Sequence, residues 1–582
     1  MIDTKVAISR SQLLLLVLSG AMLLIVVRLF YLQIVQHGHY VQLARGEQVK
    51  SHIIPAARGQ IYALDGSTPV PLVMNQQVYT VFADPTVVTQ PRAVEEAVRA
   101  IAGGEAVKGN MQTLLADKTS QYKVLARGIS LRQAELIKAK KLQGVGFQKT
   151  SRRTYPEGSL AAQLLGFVNH EGKGQYGVEE SLDDRLRGKD GLLKSVTDVA
   201  NVPLSIGKDN IRKDPVDGDT VVLTIDRNMQ AKAEEALANG LRKTGATHGS
   251  VVAINPKNGH VLAMANLPTY KPAEFTKVQD ASAFVNGVTM SPYEPGSVLK
   301  TFTVAAGLDK GVITAGSTFN NTDKIKVDDR TITNALKGIT GTISMQTALN
   351  NSLNTGMVTI AQRLGDGKHI TRGARDTLYD YFHHRFGLGK ATGIEVAGES
   401  KGIVVAPDAA SGQGNAVRYS NMSFGQGLDV TMLQVVAGFS AIINGGTYYQ
   451  PTMIAGKYTQ GSLKADPPKQ VRSNVMSRTA SAQAREMVHQ ARVQYTKDDT
   501  PGYYVGGKTG TSQTIGSDGR YVSNQTIGTY LGFGGTDTDT KYVIMVQVSG
   551  KNMNLEGNKH AMPIFTELSN WLLNYYQLQP RK

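Results

Sequence analysis

The chain has 582 residues, too many for one hydrophobic core, so about two to four domains are expected. Apolar residues make up 41% and charged residues 19%, which excludes a disordered chain, and the lack of cysteine excludes disulfides and thiolate metal sites. The net charge of +16 is not gathered into basic runs with interleaved aromatics, so it argues against nucleic acid and suits an anionic membrane face or an anionic polymer outside the cell.

Residues 12–27, QLLLLVLSGAMLLIVV, are almost wholly apolar, and RLFYLQIV carries the stripe to Val35. With Arg28 snorkelling and Phe30 and Tyr31 at the interface, a spanning helix of about 20 residues is reachable. Lys5 and Arg10 precede it, which places residues 1–10 in the cytoplasm as a short tail, 11–36 in the membrane and the rest outside. No small-residue cleavage site follows at the usual distance, so an uncleaved anchor is expected. Residues 37–85 mix β-branched residues with Pro and Gly turn signals and read as irregular strands. Residues 93–140 read as helical, and strands return through 146–225. A helix is expected over 228–245.

HGSVVAINPKNGHVLAMAN, 248–266, is a hairpin around NPKNG. Three more strands are expected at 503–514, 526–535 and 541–550, and an apolar helix closes the chain. Most helical periodicity lies between the two strand groups, at 297–490. The fold class is therefore α+β. An N-terminal transmembrane helix leads into an elongated mixed β/α pedestal over 37–235. A second domain over 236–582 holds a five-stranded antiparallel sheet between helical layers.

Within that second domain, MSPYEPGSVLKTF puts Ser297 at the mouth of a helix and Lys300 three residues later on the same face. A serine hydroxyl needs a base, and a lysine can be that base when burial or neighbouring cations lower its pKa. Alone this pair also reads as an N-cap with a solvated lysine. Two further segments change the balance. NNSLNTGM holds Ser352 and Asn354 as S-x-N, and GGKTGTS holds Lys508, Thr509 and Gly510 on the first late strand. S-x-x-K, S-x-N and K-T-G in this order form the signature of penicillin-recognising serine acyltransferases and β-lactamases.

On these motifs the chain resembles the class B penicillin-binding proteins, monofunctional peptidoglycan D,D-transpeptidases. RGQIYALDG at 58–66, the stretch 152–191 beginning RRTYPEG, and FGQGLDVTMLQVV from 424 extend the likeness from about residue 25 onward. The chain departs from many relatives at Ala63, Leu64 and Asp65, where no arginine stands to form a salt bridge.

The resemblance implies that Ser297 attacks the carbonyl between two terminal D-alanines of a stem peptide, with Lys300 taking its proton. Ser352 and Lys508 would relay a proton to the departing D-alanine. Backbone N–H groups of Ser297 and Thr511 would hold the oxyanion. Lys508, Thr509 and Thr511 would bind the substrate carboxylate and Asn354 the donor amide, while Gly507 and Gly510 would let substrate approach the strand. It further implies β-lactams as covalent inhibitors, lipid-linked nascent glycan as substrate, and no cofactor. The implied partners are a polytopic membrane glycan polymerase, contacted through residues 11–60, and other proteins of a division or elongation complex. The missing appendage after 582 leans toward the division type.

Rival readings are a β-lactamase, a β-lactam sensor or a non-catalytic scaffold. The pedestal argues against the first, the short cytoplasmic tail against the second, and the intact motifs against the third. Glu294 lies outside the helix and is a poor candidate for a deacylation base. GKTGTS with Gly502 mimics a phosphate-binding loop, but strand rather than helix is expected after Lys508. His37, His39, His383 and His384 lack acidic companions, so no metal site is expected.

Overall fold

The computed structural model describes residues 9–40, 49–196, 211–408, 414–516 and 518–580, and they fall into two compact units. One unit comprises residues 1–57 and 188–218. Within it, the helix Arg10–Phe30 runs into a π-helical turn at Tyr31–Val35. Ser9 and Gln12 form a reciprocal capping box at its start. The span Arg10–Val35 has a mean hydropathy of 2.7 and is long and apolar enough to cross a membrane. The same unit holds a three-stranded antiparallel sheet of Val49–Ile54, Gly191–Val196 and Ile211–Lys213, with Gly191–Val196 in the middle.

The other unit, residues 58–187 and 219–582, contains two large sheets. In the first, the 16-residue strand Thr68–Ala83 pairs with Ile61–Asp65, Lys123–Ile129 and Val145–Thr154. Ile61–Asp65 also pairs in parallel with Val221–Asp226, which carries Ile454–Thr459 on its far side. The helices Pro91–Ala102 and Leu131–Ala139 cover part of it, with Val94, Val98 and Ile137 buried against Val81, Leu125 and Ile129. Residues 93–140 are thus not helical throughout. KVLARGI at 123–129 is a strand because Leu125, Ala126 and Ile129 find a partner strand, which local periodicity does not register.

Arg58 leads into this sheet. Its guanidinium donates to Glu179 at 2.6 Å and to Asp183 at 2.7 Å, while Arg153 donates to the other Glu179 oxygen at 2.7 Å. Glu179 is fully buried. The Glu179 carboxylate therefore bridges two arginines that lie 10% and 5% exposed, and with Asp183 it balances their charge. Glu179→Ala should destabilise the protein by about 3 kcal/mol, because it strands buried charge. Thermal unfolding of the purified chain checks this, and a loss below about 1 kcal/mol would refute it. At Ala63–Asp65, Asp65 accepts from the Asn228 amide at 2.8 Å.

The second sheet has five antiparallel strands in the order Val261–Leu267, His248–Ile254, Thr540–Ser549, Tyr521–Gly535, Gly506–Ile515. Two strands come before the helical insert and three after it, as the sequence implies. Side chains alternate between two layers. Val252, Met545, Leu531 and Phe533 face the helices Lys300–Asp309 and Met432–Ile443. Val251, Ile544, Val546 and Tyr530 face Arg227–Thr244 and the closing helix Met562–Tyr575. All 12 residues of Met432–Ile443 are buried, which explains a helix whose only polar side chains are Gln434 and Ser440. The strand Gly506–Ile515 is left at the edge of the sheet, beside the start of the Lys300–Asp309 helix.

Candidate active site

The turn that carries Ser297 is a short 3₁₀ segment, Gly296–Leu299, and the α-helix proper starts at Lys300. Side chains at i and i+3 eclipse in a 3₁₀ turn, so Ser297 and Lys300 share a face more strictly than α-helical spacing requires. The Lys300 amide closes the turn by donating to the Ser297 carbonyl. Ser297 is half-buried and Lys300 fully buried.

The turn is clamped from two sides. Gly296 donates its N–H to Gly425 O at 3.0 Å, and its φ of +63° is in the left-handed region. A Cβ at Gly425 would lie 1.9 Å from Gly296 O, so only glycine fits there. A Cβ at Gly296 would lie 2.8 Å from Thr511 O, which puts the Ser297 turn directly against the edge strand. Gly510 answers to the protein as well as to any substrate. A Cβ there would meet Thr529 Oγ1 at 2.2 Å and Pro295 O at 3.0 Å.

Ser352 joins the three motifs. It sits between the helices Met345–Asn350 and Asn354–Arg363 with φ +56°, a conformation that costs a non-glycine residue about 1–3 kcal/mol and collects at functional sites. Lys300 Nζ donates to the Ser352 carbonyl and lies 3.2 Å from its Oγ. Lys508 Nζ lies 2.9 Å from the same Oγ and also reaches Thr509 O at 3.1 Å and Thr509 Oγ1 at 3.3 Å. Two amines thus share one hydroxyl in a site where Lys300 is 0% and Lys508 3% exposed.

Burial, reinforced by the Lys508 charge, holds the Lys300 amine well below the usual lysine range. Burial brings Lys508 down to about 7. A neutral lysine carries a lone pair, so this arrangement can both accept and return protons across Ser352 Oγ.

Asn354 lies at the first turn of its helix and donates from Nδ2 to Thr333 O at 2.9 Å. That bond fixes its amide and leaves Oδ1 without a hydrogen-bond partner among the described residues. Thr511 is exposed on the edge strand, and its Oγ1 accepts from Gly557 N–H at 3.2 Å. Strand continues after Lys508 to Ile515, paired with Tyr521–Gly535, so the phosphate-loop alternative fails for want of a following helix.

Glu294, three residues before Ser297, is buried and engaged. It accepts from Gly427 N–H at 2.6 Å and from the Tyr521 hydroxyl at 3.0 Å. Burial is the main cause that raises its carboxyl above the usual range. Tyr521 and Gly427 lie far from Glu294 in the chain, and no local sequence signal couples them.

The chain is similar to known proteins over most of its length. Residues 249–570 match the penicillin-binding protein transpeptidase domain, and 53–223 the penicillin-binding protein dimerisation domain. Stage V sporulation protein D of Bacillus subtilis is 31% identical over 98% of this chain and 87% of its own length. Penicillin-binding protein PbpB of Mycobacterium tuberculosis is 29% identical over 95% of this chain and 83% of its own. Among solved structures, penicillin-binding protein 3 of Mycobacterium tuberculosis complexed with aztreonam aligns with a TM-score of 0.66 and 25% identity, over 91% of this chain and 98% of that one. Penicillin-binding protein 2X of Streptococcus thermophilus aligns with a TM-score of 0.71 over 91% and 80%, at 23% identity, a likeness of fold. A dimerisation domain followed by a transpeptidase domain, with a buried Ser–Lys–Lys centre at the sheet edge, means that the chain belongs to the class B penicillin-binding proteins, serine peptidoglycan D,D-transpeptidases that are targets of β-lactams.

Proposed function

We propose that Ser297 is the nucleophile of this transpeptidase and that Lys300 is its general base. The observation that carries the reading is the shared hydroxyl: Ser352 Oγ stands 3.2 Å from Lys300 Nζ and 2.9 Å from Lys508 Nζ. Neutral Lys300 takes the Ser297 proton as Oγ attacks the penultimate D-alanine carbonyl. The tetrahedral oxyanion is held by the N–H groups of Ser297 and Thr511, brought together by the contact of Gly296 with Thr511. As the C–N bond breaks, the proton passes through Ser352, with Lys508 alongside, to the departing D-alanine amine. Lys508, Thr509 and Thr511 bind the leaving carboxylate, Gly510 keeps the strand close to the turn, and Asn354 Oδ1 takes an amide N–H of the donor. A second stem's amine then attacks the acyl-enzyme and releases Ser297.

Ser352→Ala tests the relay. In crosslinking of nascent glycan by the full-length protein, D-alanine release should fall about a hundredfold. Unchanged turnover would remove Ser352 from the path.

We further assign residues 1–10 to a cytoplasmic tail, 11–36 to the cytoplasmic-membrane anchor, 37–235 to the pedestal and 236–582 to an extracytoplasmic transpeptidase domain. The exposed apolar face of Arg10–Val35 supports a lateral contact with a polytopic glycan polymerase in a division-type complex.

A further inference from the structure

The histidines at 383 and 384 lie in a cluster of hydrogen-bond donors at the far end of the Lys300–Asp309 helix. Arg385, next to His384, pairs with Asp309 at 3.6 Å, and the helix is about 14 Å long at its rise per residue. The cluster therefore stands apart from Lys300 and Ser352.

Tyr448 and Arg472 face each other across a two-stranded ladder. The Arg472 guanidinium carbon lies 4.4 Å from the Tyr448 ring centroid, and its Nη1 donates to His384 O. Arg472 Nε is buried, and neither it nor Nη2 has a hydrogen-bond partner among the described residues. The Tyr448 hydroxyl makes no hydrogen bond among them either. A Cβ at Gly387 would lie 3.0 Å from that hydroxyl and 3.2 Å from Arg472 Nη2, so the two free donors converge on one place. Lys390 Nζ lies 3.4 Å from His384 Nδ1, and the rings of His383 and His384 stand 5.1 Å apart.

No acid balances these groups. Among the described residues Arg472 and Lys390 make no ion pair. The carboxylates around them are committed: Asp380 and Asp309 to Arg385, Glu395 to Lys469, and Glu399 to the N–H groups of Thr392 and Gly393. Burial holds Arg472, Lys390 and His383 below their ordinary values, and the Arg472 charge pushes the other two the same way.

Donors without acceptors, carried by half-buried cations without a counter-charge, complement an anion rich in acceptor oxygens. A phosphate brings more charge and more oxygens than a carboxylate, and a guanidinium fork matches its geometry.

We propose that Arg472, Tyr448 and Lys390 form a binding site for a phosphate group, carried by a soluble ester or by a lipid headgroup. Arg472 Nη2 and the Tyr448 hydroxyl donate to its oxygens, and the Lys390 ammonium supplies the second positive charge.

The test places full-length protein in phosphatidylcholine nanodiscs and follows the phosphorus NMR linewidth of glycerol 3-phosphate. The protein should broaden the line with a Kd of about 1 mM. Inorganic phosphate should displace the ester at a similar concentration, and acetate should need at least about tenfold more. Lys390→Gln and Arg472→Gln should each weaken binding at least about tenfold, and Tyr448→Phe about threefold. Labelling by a fluorescent penicillin at the wild-type rate verifies the fold of each variant, and half-buried Lys390 carries the test if Arg472→Gln unfolds. No broadening at about 10 mM ester, displacement by acetate as readily as by phosphate, or unchanged affinity in Lys390→Gln would overturn the proposal. Phosphatidic acid vesicles added to the discs separate the sources. Displacement of the ester assigns the site to a lipid headgroup and persistence of its binding to a soluble ester, and either result supports phosphate as the ligand.

Discussion

Ser297→Ala should abolish covalent labelling by penicillin and lower D-alanine release by at least about a thousandfold, with the fold intact. The effect is large because no neighbouring group replaces the hydroxyl. Ser352 Oγ is already committed between two amines, and Thr511 Oγ1 accepts from Gly557. The fold should survive because the turn is braced by backbone. Gly296 bonds to Gly425, the Lys300 amide closes on the Ser297 carbonyl, and the glycines pack against Thr511 and Gly296 without help from the serine side chain. Thermal unfolding should therefore shift by no more than about 0.5 kcal/mol. Gel fluorescence after incubation with a fluorescent penicillin reads the first effect and calorimetry the second. Equal labelling of the two proteins would place the nucleophile elsewhere.

The parts of this architecture written in short-range pattern were legible before any coordinates. The hairpin at 248–266, the three late strands and the closing helix each carry their own periodicity, and the strands assemble into one sheet that the helix covers on one face. Ser297 and Lys300 are neighbours in the chain, so their common face follows from spacing. What spacing cannot carry is convergence. Ser352 and Lys508 are 156 residues apart, and their approach rests on how the insert packs against the sheet. The order of three motifs stood in for that contact through resemblance alone.

Other features were invisible for physical reasons. The left-handed φ of Ser352 is imposed by the junction of two helices and not by its residue type. KVLARGI became a strand through its partner. Glu294, Tyr521, Asp429 and Arg418 come from four separated segments, and only the folded chain gathers them around one cavity. The glycines of the third motif also gained a second reason. Sequence reasoning reserved them for substrate, whereas Gly510 is already required by Thr529 and Pro295.

Lys300→Met should remove activity and raise stability together, because the amine we propose as base is held where folding least favours its charge. An unfolded lysine titrates near 10.5, while burial and the nearby Lys508 hold Lys300 well below that. The two Nζ atoms, each within hydrogen-bond reach of Ser352 Oγ, are no more than about 6 Å apart. Between the folded and unfolded pKa values the unfolded chain binds the extra proton, so stability increases with pH across that window. The cost of burying Lys300 is therefore full below its folded pKa, shrinks as pH climbs toward 10.5 and is gone above it.

Methionine has similar length and no charge. Its introduction forfeits the bonds to Ser352 O and Oγ, worth about 1 kcal/mol each, and relieves a larger desolvation term. At pH 7 the net gain should be on the order of 2 kcal/mol, and it should dwindle by pH 10.5, where the wild-type lysine is neutral in both states. Acylation by penicillin should meanwhile drop about a thousandfold at every pH, since no base remains for Ser297. Calorimetry at pH 7, 8.5 and 10 beside stopped-flow acylation separates the two effects. A variant less stable than wild type at pH 7, or a gain that ignores pH, would mean that Lys300 is charged and satisfied in the folded protein and cannot be the base.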